Sequence, residues 1–254
     1  MVRHVWGDDA SPPLVLLHGG SGSWSHWIRN VQAFAAAGRR VVVPDLPGFG
    51  DSAAPEGVRD ADGMVEPMAQ SLRNVAGEGP HDLVGFSFGG MLSVMIAAAH
   101  PQLVRHLVIV GAPGFGLRDK RLKLFDWRHL DTADKRAEVH RRNLGILMLH
   151  DPAAIDDLAV HLQAQNVGRD RMRRRSLAMT DIVKRTLPRL QCRFDAVYGE
   201  HDALYDELMP ELTAVIESMP NKRELVFIPR AGHWVQYEQA EAFNEAVLGL
   251  LSRP

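Results

Sequence analysis

Short apolar runs, each bounded by glycine, proline or aspartate, recur along this chain at a spacing that leaves room for a helix between them. The runs are "LVLL" (14–17), "RVVVPD" (40–45), "HDLVGF" (81–86), "LVRHLVIVG" (103–111), "RFDAVYG" (193–199) and "ELVFIP" (224–229). Each is too short for a helix and too continuously apolar for a sheet with one wet face, so they read as strands buried on both sides. Apolar positions at helical spacing fill 24–37, 64–76, 89–99, 203–219 and 238–252. Strands alternating with helices predict an α/β fold: a mostly parallel central sheet with helices on both faces and right-handed connections.

The alternation breaks between Pro113 and Leu190, where helical patterns at 119–128, 133–149, 152–166 and 171–186 follow one another with no strand. The pattern predicts a core made of 1–112 and 191–254, with 113–190 inserted as a helical cap. An insertion between two strand ends belongs at the carboxyl edge of the sheet, where open α/β folds form their ligand crevice. The cap carries "GRDRMRRRS" (168–176), with five arginines in seven residues. Such a run reads first as a solvated face. If 171–186 is one helix, Met172, Met179 and Val183 form an apolar stripe with Arg175 and Thr186 on its flank, while Arg173 and Arg174 point away. Arg175 is then the arginine placed to reach inward to a substrate carboxylate, or to snorkel outward.

Composition narrows the classes. The 254 residues are 46% hydrophobic, enough for a sizeable core. Lysine plus arginine number 29 against 31 acidic residues, a net charge of -2, which gives no reason to expect nucleic acid or an anionic membrane as partner. The N-terminal stretch lacks the apolar core of a secretory signal, and no run approaches the roughly 18 apolar residues of a membrane span. Cys192 is the only cysteine, which excludes an internal disulfide and reads as a buried, inert thiol in a reducing compartment. A soluble, cytoplasmic protein acting on a small molecule is expected. The histidines show no H-E-x-x-H or cysteine-paired spacing, so neither a metal nor another cofactor is expected.

The chemistry concentrates at "LVGFSFGG" (83–90). In Gly85-Phe86-Ser87-Phe88-Gly89 a strand turns sharply into a helix; the glycines make room for the turn, and the Ser87 hydroxyl is exposed beside a helix N-terminus. Serine is a weak nucleophile at neutral pH and needs a histidine base oriented by a carboxylate. "YGEHD" (198–202) offers Asp202 after a strand, and "PRAGHW" (229–234) offers His233 in a glycine-containing loop. Asp195, Asp206 and Glu200 are rivals to Asp202, but Asp195 lies within a strand and Asp206 within a helical pattern. Asp45, at a strand end in "PDLPGFGDS" (44–52), reads as a brace for its turn. Oxyanion donors are expected from the Phe88 amide and from "HGGS" (18–21), with Gly20 the first choice, Ser21 the second and His18 bracing the loop.

These segments, in this order, resemble the α/β-hydrolase family, and the resemblance covers nearly the whole chain. It implies a serine hydrolase in which Ser87, His233 and Asp202 are catalytic. Gly19, Trp24, Phe86, Phe88, Phe115, Arg175 and Trp234 are the expected surroundings of the substrate. Serine at the nucleophile position argues against the dehalogenases and epoxide hydrolases of this fold, which use aspartate. Trp234 after His233 is similar to the carbon–carbon bond hydrolases that split ring-cleavage dienoates, but those enzymes carry asparagine where Phe86 stands. Ester or lactone hydrolysis is therefore expected, with carbon–carbon cleavage as the alternative. Two readings from other classes are a noncatalytic binding module and a dinucleotide site built on Gly20-x-Gly22-x-x-Ser25 with Asp45; the latter leaves Ser87, Asp202 and His233 unexplained.

Overall fold

A computed structural model describes residues 1–119 and 121–253. Its strands are β1 (Arg3–Trp6), β2 (Pro13–Leu17), β3 (Arg40–Pro44), β4 (His81–Phe86), β5 (Val104–Val110), β6 (Arg193–Gly199) and β7 (Lys222–Ile228). They form one sheet in the order β1-β3-β2-β4-β5-β6-β7, antiparallel only between β1 and β3. Helix α1 (Val31–Ala36) lies between β2 and β3, α2 (Val65–Ala76) between β3 and β4, α3 (Phe88–Ala99) between β4 and β5 and α7 (Met209–Glu217) between β6 and β7, and α8 (Val235–Glu238) and α9 (Ala240–Ser252) follow β7. Between β5 and β6 lie α4 (Ala133–Leu147), α5 (Asp157–Gly168) and α6 (Ile182–Thr186).

Alternation along the strands divides the core into two layers. Val15 and Leu17 of β2 join α2, α3 and α7 on one face, while Leu14 and Leu16 pack with Trp27, Phe34 and Phe243 on the other. Leu144, Val160 and Leu162 of α4 and α5 join the second layer. Both faces of the parallel strands are thereby covered, as their unbroken apolar runs require.

The sequence expectation departs from the structure in definite places. β1 is an edge strand whose residues are alternately exposed and half-buried, a pattern too short and too polar to stand out from the flanking loop. Residues 24–37 divide into a short 3-10 turn at Trp24–Trp27 and α1. Of the helix expected at 119–128, Lys120 lies outside the described residues and the others are not helical; the Asn143 side chain instead donates to the Phe125 carbonyl and accepts from its N–H. The helix expected over 171–186 is also absent. Asp170 accepts from the Met172 N–H, and Asp60 accepts from the N–H groups of Ser176 (2.5 Å) and Leu177 (2.9 Å). With those amides held by carboxylates, the backbone forms turns, a 3-10 turn at Leu177–Met179 and only then α6.

Candidate active site

Ser87 sits between the end of β4 and the start of α3 with φ 50° and ψ −117°, a conformation that L-residues rarely adopt. Its N–H donates to the Val110 carbonyl at 2.7 Å. A Cβ at Gly85 would overlap Ser93 Oγ and the Gly89 carbonyl, and one at Gly89 would overlap the carbonyls of Leu17 and His18. The glycine spacing around Ser87 is thus a steric requirement of strand, turn and helix meeting at one point.

The structure brings Ser87, His233 and Asp202 together. His233 Nε2 lies 2.9 Å from Ser87 Oγ, and His233 Nδ1 lies 2.9 Å from each Asp202 carboxylate oxygen. Asp202 is fully buried, His233 nearly so, and Ser87 is partly exposed. With the Nδ1 proton donated to Asp202, Nε2 is left to accept from the serine hydroxyl. The rival acids are elsewhere engaged: Asp195 pairs with His106 and Arg223, and Asp206 opens the 3-10 turn at Asp206–Leu208. Phe86 packs its ring 5.0 Å from the His233 ring.

Beside Ser87 runs the loop 18–21. A Cβ at Gly19 would stand 3.2 Å from Ser87 Cβ, and one at Gly20 would stand 3.5 Å from Phe88 Cβ. Phe88 opens α3, so its N–H is among those with no intrahelical acceptor. His18 braces the loop from within: its Nδ1–H donates to the Gly19 carbonyl at 2.8 Å and its Nε2 accepts from the Leu46 N–H at 2.9 Å. His26 Nδ1 accepts from the Gly19 N–H at 3.2 Å. Ser21 has φ 51°, and its hydroxyl donates to Asp170 at 2.5 Å.

Burial lowers the pKa of His18 to about 4, and burial likewise holds His26 well below its ordinary value of 6.5. Between pH 6.5 and 4 the unfolded chain therefore binds protons that the native chain does not, and stability falls as the pH falls through that window. The melting temperature should decrease from pH 7 to pH 4 in a thermal-denaturation series. His18→Gln keeps one donor and one acceptor but removes a titrating group, so its decrease should be shallower. An identical slope would refute the assignment.

Other residues named from the sequence fall in different surroundings. Arg175 reaches Gly20, where a Cβ would stand 3.3 Å from its Nη2, but it does so from an irregular stretch and not from a helix stripe. Trp24 packs its indole on His4 (5.0 Å) and Trp6 (5.4 Å) of β1. Trp234 is fully buried, stacked on Tyr237 at 4.2 Å with its N–H donated to the His26 carbonyl, and Phe115 is buried against Tyr205. Asp45 braces turns, accepting from the N–H groups of Trp24 and Asp51 at 2.8 and 2.9 Å. Ser25 lies in a 3-10 turn where a dinucleotide site would need a helix.

The sequence reading missed three partners of the site. Asp170 and His26 hold the 18–21 loop, as described. Glu238 accepts from the N–H groups of Gly232, His150 and Asp151 at 2.7, 3.1 and 2.6 Å, tying the His233 loop to the segment after α4. Asp170 meets Ser21 across 149 residues and Glu238 meets His150 and Asp151 across 88 and 87, separations that no local pattern announces, whereas His26–Gly19 and Glu238–Gly232 span only seven and six. A cavity of about 580 Å³ lies between Trp127, α4 and α5, but Ser87, His233 and Asp202 do not line it. Among the described residues, no helix is long and apolar enough to cross a membrane.

Comparison with known proteins agrees with this architecture. A curated relative from Burkholderia cepacia, a 2-hydroxy-6-oxo-6-phenylhexa-2,4-dienoate hydrolase, is 27% identical over 260 residues, covering 94% of this chain and 87% of the relative. The solved structure of a serine-to-alanine mutant of a meta-cleavage product hydrolase from Pseudomonas fluorescens IP01 superposes with a TM-score of 0.73 at 23% identity, over 98% of this chain and 93% of that one. A putative aryl esterase from Burkholderia cenocepacia superposes with a TM-score of 0.76 at 20% identity, over 98% and 93%. The sequence model of the Alpha/beta hydrolase family matches residues 14–246, so the chain belongs to the α/β-hydrolase family of enzymes.

Proposed function

We propose that the protein is a serine hydrolase that cleaves a small carboxylic ester or lactone through Ser87, His233 and Asp202. The observation that carries this reading is the continuous hydrogen-bonded line from Ser87 Oγ through the His233 ring to Asp202. Ser87 Oγ attacks the carbonyl carbon as its proton passes to His233 Nε2, and the negative charge moves to the carbonyl oxygen. The amides of Phe88 and Gly20 hold that oxygen, with the Ser21 amide as the second choice for the loop donor. When the tetrahedral centre collapses, the bond to the alcohol oxygen breaks and His233 returns the proton to it. Water then repeats the sequence on the acyl-serine, releasing the acid and restoring Ser87. Asp202 holds the imidazole in its working tautomer and faces the imidazolium when it forms. In this reading 113–190 is the cap, substrate enters between it and the core, and Gly19, Phe86, Phe88, Phe115 and Arg175 surround the bound molecule.

The second reading is carbon–carbon bond hydrolysis of a ring-cleavage dienoate, the activity for which the Burkholderia cepacia relative is named. Phe86 argues against it, since a fully buried phenyl ring beside His233 offers no hydrogen bond to a polar dienoate. The two separate in one assay series with p-nitrophenyl acetate, a γ-lactone and a ring-cleavage dienoate. Ester or lactone should show the highest kcat/KM. A dienoate preferred by tenfold or more would give the site to carbon–carbon cleavage. Covalent labelling of Ser87 by a fluorophosphonate is expected under both readings, and its absence would leave a noncatalytic module.

A further inference from the structure

Above the 18–21 loop sits a largely enclosed ion pair that the proposed chemistry does not use. Arg175 Nη1 lies 3.1 Å from both carboxylate oxygens of Asp170, with the two side chains only 18% and 6% exposed. The pair is closed into a ring by Ser21, whose hydroxyl donates to Asp170 Oδ2 at 2.5 Å and accepts from Arg175 Nη2 at 3.1 Å. Asp170 Oδ1 also accepts from the Met172 N–H at 2.7 Å, and Arg175 Nη1 donates to the Met172 carbonyl at 2.7 Å. The guanidinium stands 4.9 Å above the Phe49 ring and 5.4 Å above the Phe88 ring. It therefore lies over the two residues, Gly20 and Phe88, whose amides are assigned to the oxyanion.

A lone guanidinium at this place would be a strong carboxylate receptor, since two of its N–H groups could meet two oxygens at once. Asp170 already supplies that carboxylate from within the chain. The side chains of Arg171, Arg173 and Arg174 add positive charge nearby, but these residues are exposed, and solvent screens them. At the buried position the charges are one cation and one anion in contact, and a second carboxylate arriving with a substrate would meet Asp170 at close range.

We propose that Asp170 is a specificity-determining positioning residue: by pairing with Arg175 beside the oxyanion loop it restricts the site to uncharged esters and lactones. The inference rests on the reading of Ser87 as nucleophile and narrows its substrate class.

The test compares p-nitrophenyl phenylacetate with its 4-carboxy analogue in the unmutated protein, in Asp170→Asn and in Asp170→Asn/Arg175→Gln. The unmutated protein should prefer the neutral ester. Asp170→Asn keeps the shape and frees the guanidinium, so the acidic-to-neutral ratio of kcat/KM should rise by about tenfold or more, chiefly through KM for the acidic ester. The double variant should lose that gain, which a merely structural role for Asp170 does not predict. An unchanged ratio with Ser87 still labelled by fluorophosphonate overturns the inference alone; failure of Ser87 to label in the unmutated protein overturns the nucleophile and the inference together. One measurement needs no variant: phenylboronic acid should inhibit the unmutated protein more tightly than 3-carboxyphenylboronic acid, and the reverse order overturns the proposal.

Discussion

Ser87→Ala should leave a folded protein whose turnover of p-nitrophenyl acetate is lower by roughly four to six orders of magnitude, the range seen when a nucleophile is removed from such a triad. The change deletes one oxygen from a partly exposed position and alters no backbone contact, since the link to Val110 uses the residue's N–H. Alanine tolerates φ 50° no better than serine, so strain at the turn is unchanged and the melting temperature should stay close to that of the parent. His233 and Asp202 keep their mutual contact, but the imidazole has no hydroxyl to deprotonate. Residual activity should come from the oxyanion donors acting on water alone. Turnover within tenfold of the parent would remove Ser87 from the mechanism.

The second large effect is expected at Asp202. Asp202→Asn should lower kcat by about 10⁴, as the equivalent carboxylate-to-amide change does in serine proteases, while KM for a small ester moves little. Asp202 is fully buried and both its oxygens face His233 Nδ1 at 2.9 Å, so in the proposed mechanism it selects the tautomer with the proton on Nδ1 and stabilises the imidazolium during attack. An amide can present its NH₂ to Nδ1, which moves the ring proton to Nε2 and turns the base into a donor toward Ser87. Oδ1 also accepts from the Leu204 N–H at 2.9 Å, a bond that an asparagine oxygen can keep, so the 202–205 turn should survive. Steady-state kinetics across pH 5 to 10 checks this. A loss of less than tenfold at every pH would show that another group orients the histidine.

The readable part of this protein is local. The strands β2 to β6 are legible because burial on both faces demands an apolar residue at nearly every position, and the half-buried edge strand β7 is legible from the apolar run Leu225–Ile228 at its end. β1 escaped because an edge strand needs apolar residues on one face only, and "RHVW" is four residues long. The sharp turn at Ser87 is legible for a steric reason, the need for glycine at 85 and 89. The 113–190 segment is less legible. Helical spacing at 171–186 describes what the segment could do alone, but carboxylates at Asp60 and Asp170 take the amides that a helix would have used. Trp24 likewise owes its packing to His4 and Trp6, neighbours in space that its neighbours in the chain do not announce.

By itself, then, the order of residues determined the α/β class, the sharp turn at Ser87 and the positions of an acid and a histidine at two strand ends. These depend on backbone sterics and on burial periodicity, which act within about ten residues and leave their mark in any short window. Tertiary structure alone decided that Asp202 faces the imidazole while Asp195 faces Arg223, and that Arg175 meets Asp170 and Ser21, partners 149 residues apart in the chain. Compensation of a buried charge depends on what the fold brings within about 3 Å, and folding settles that distance without regard to separation along the chain.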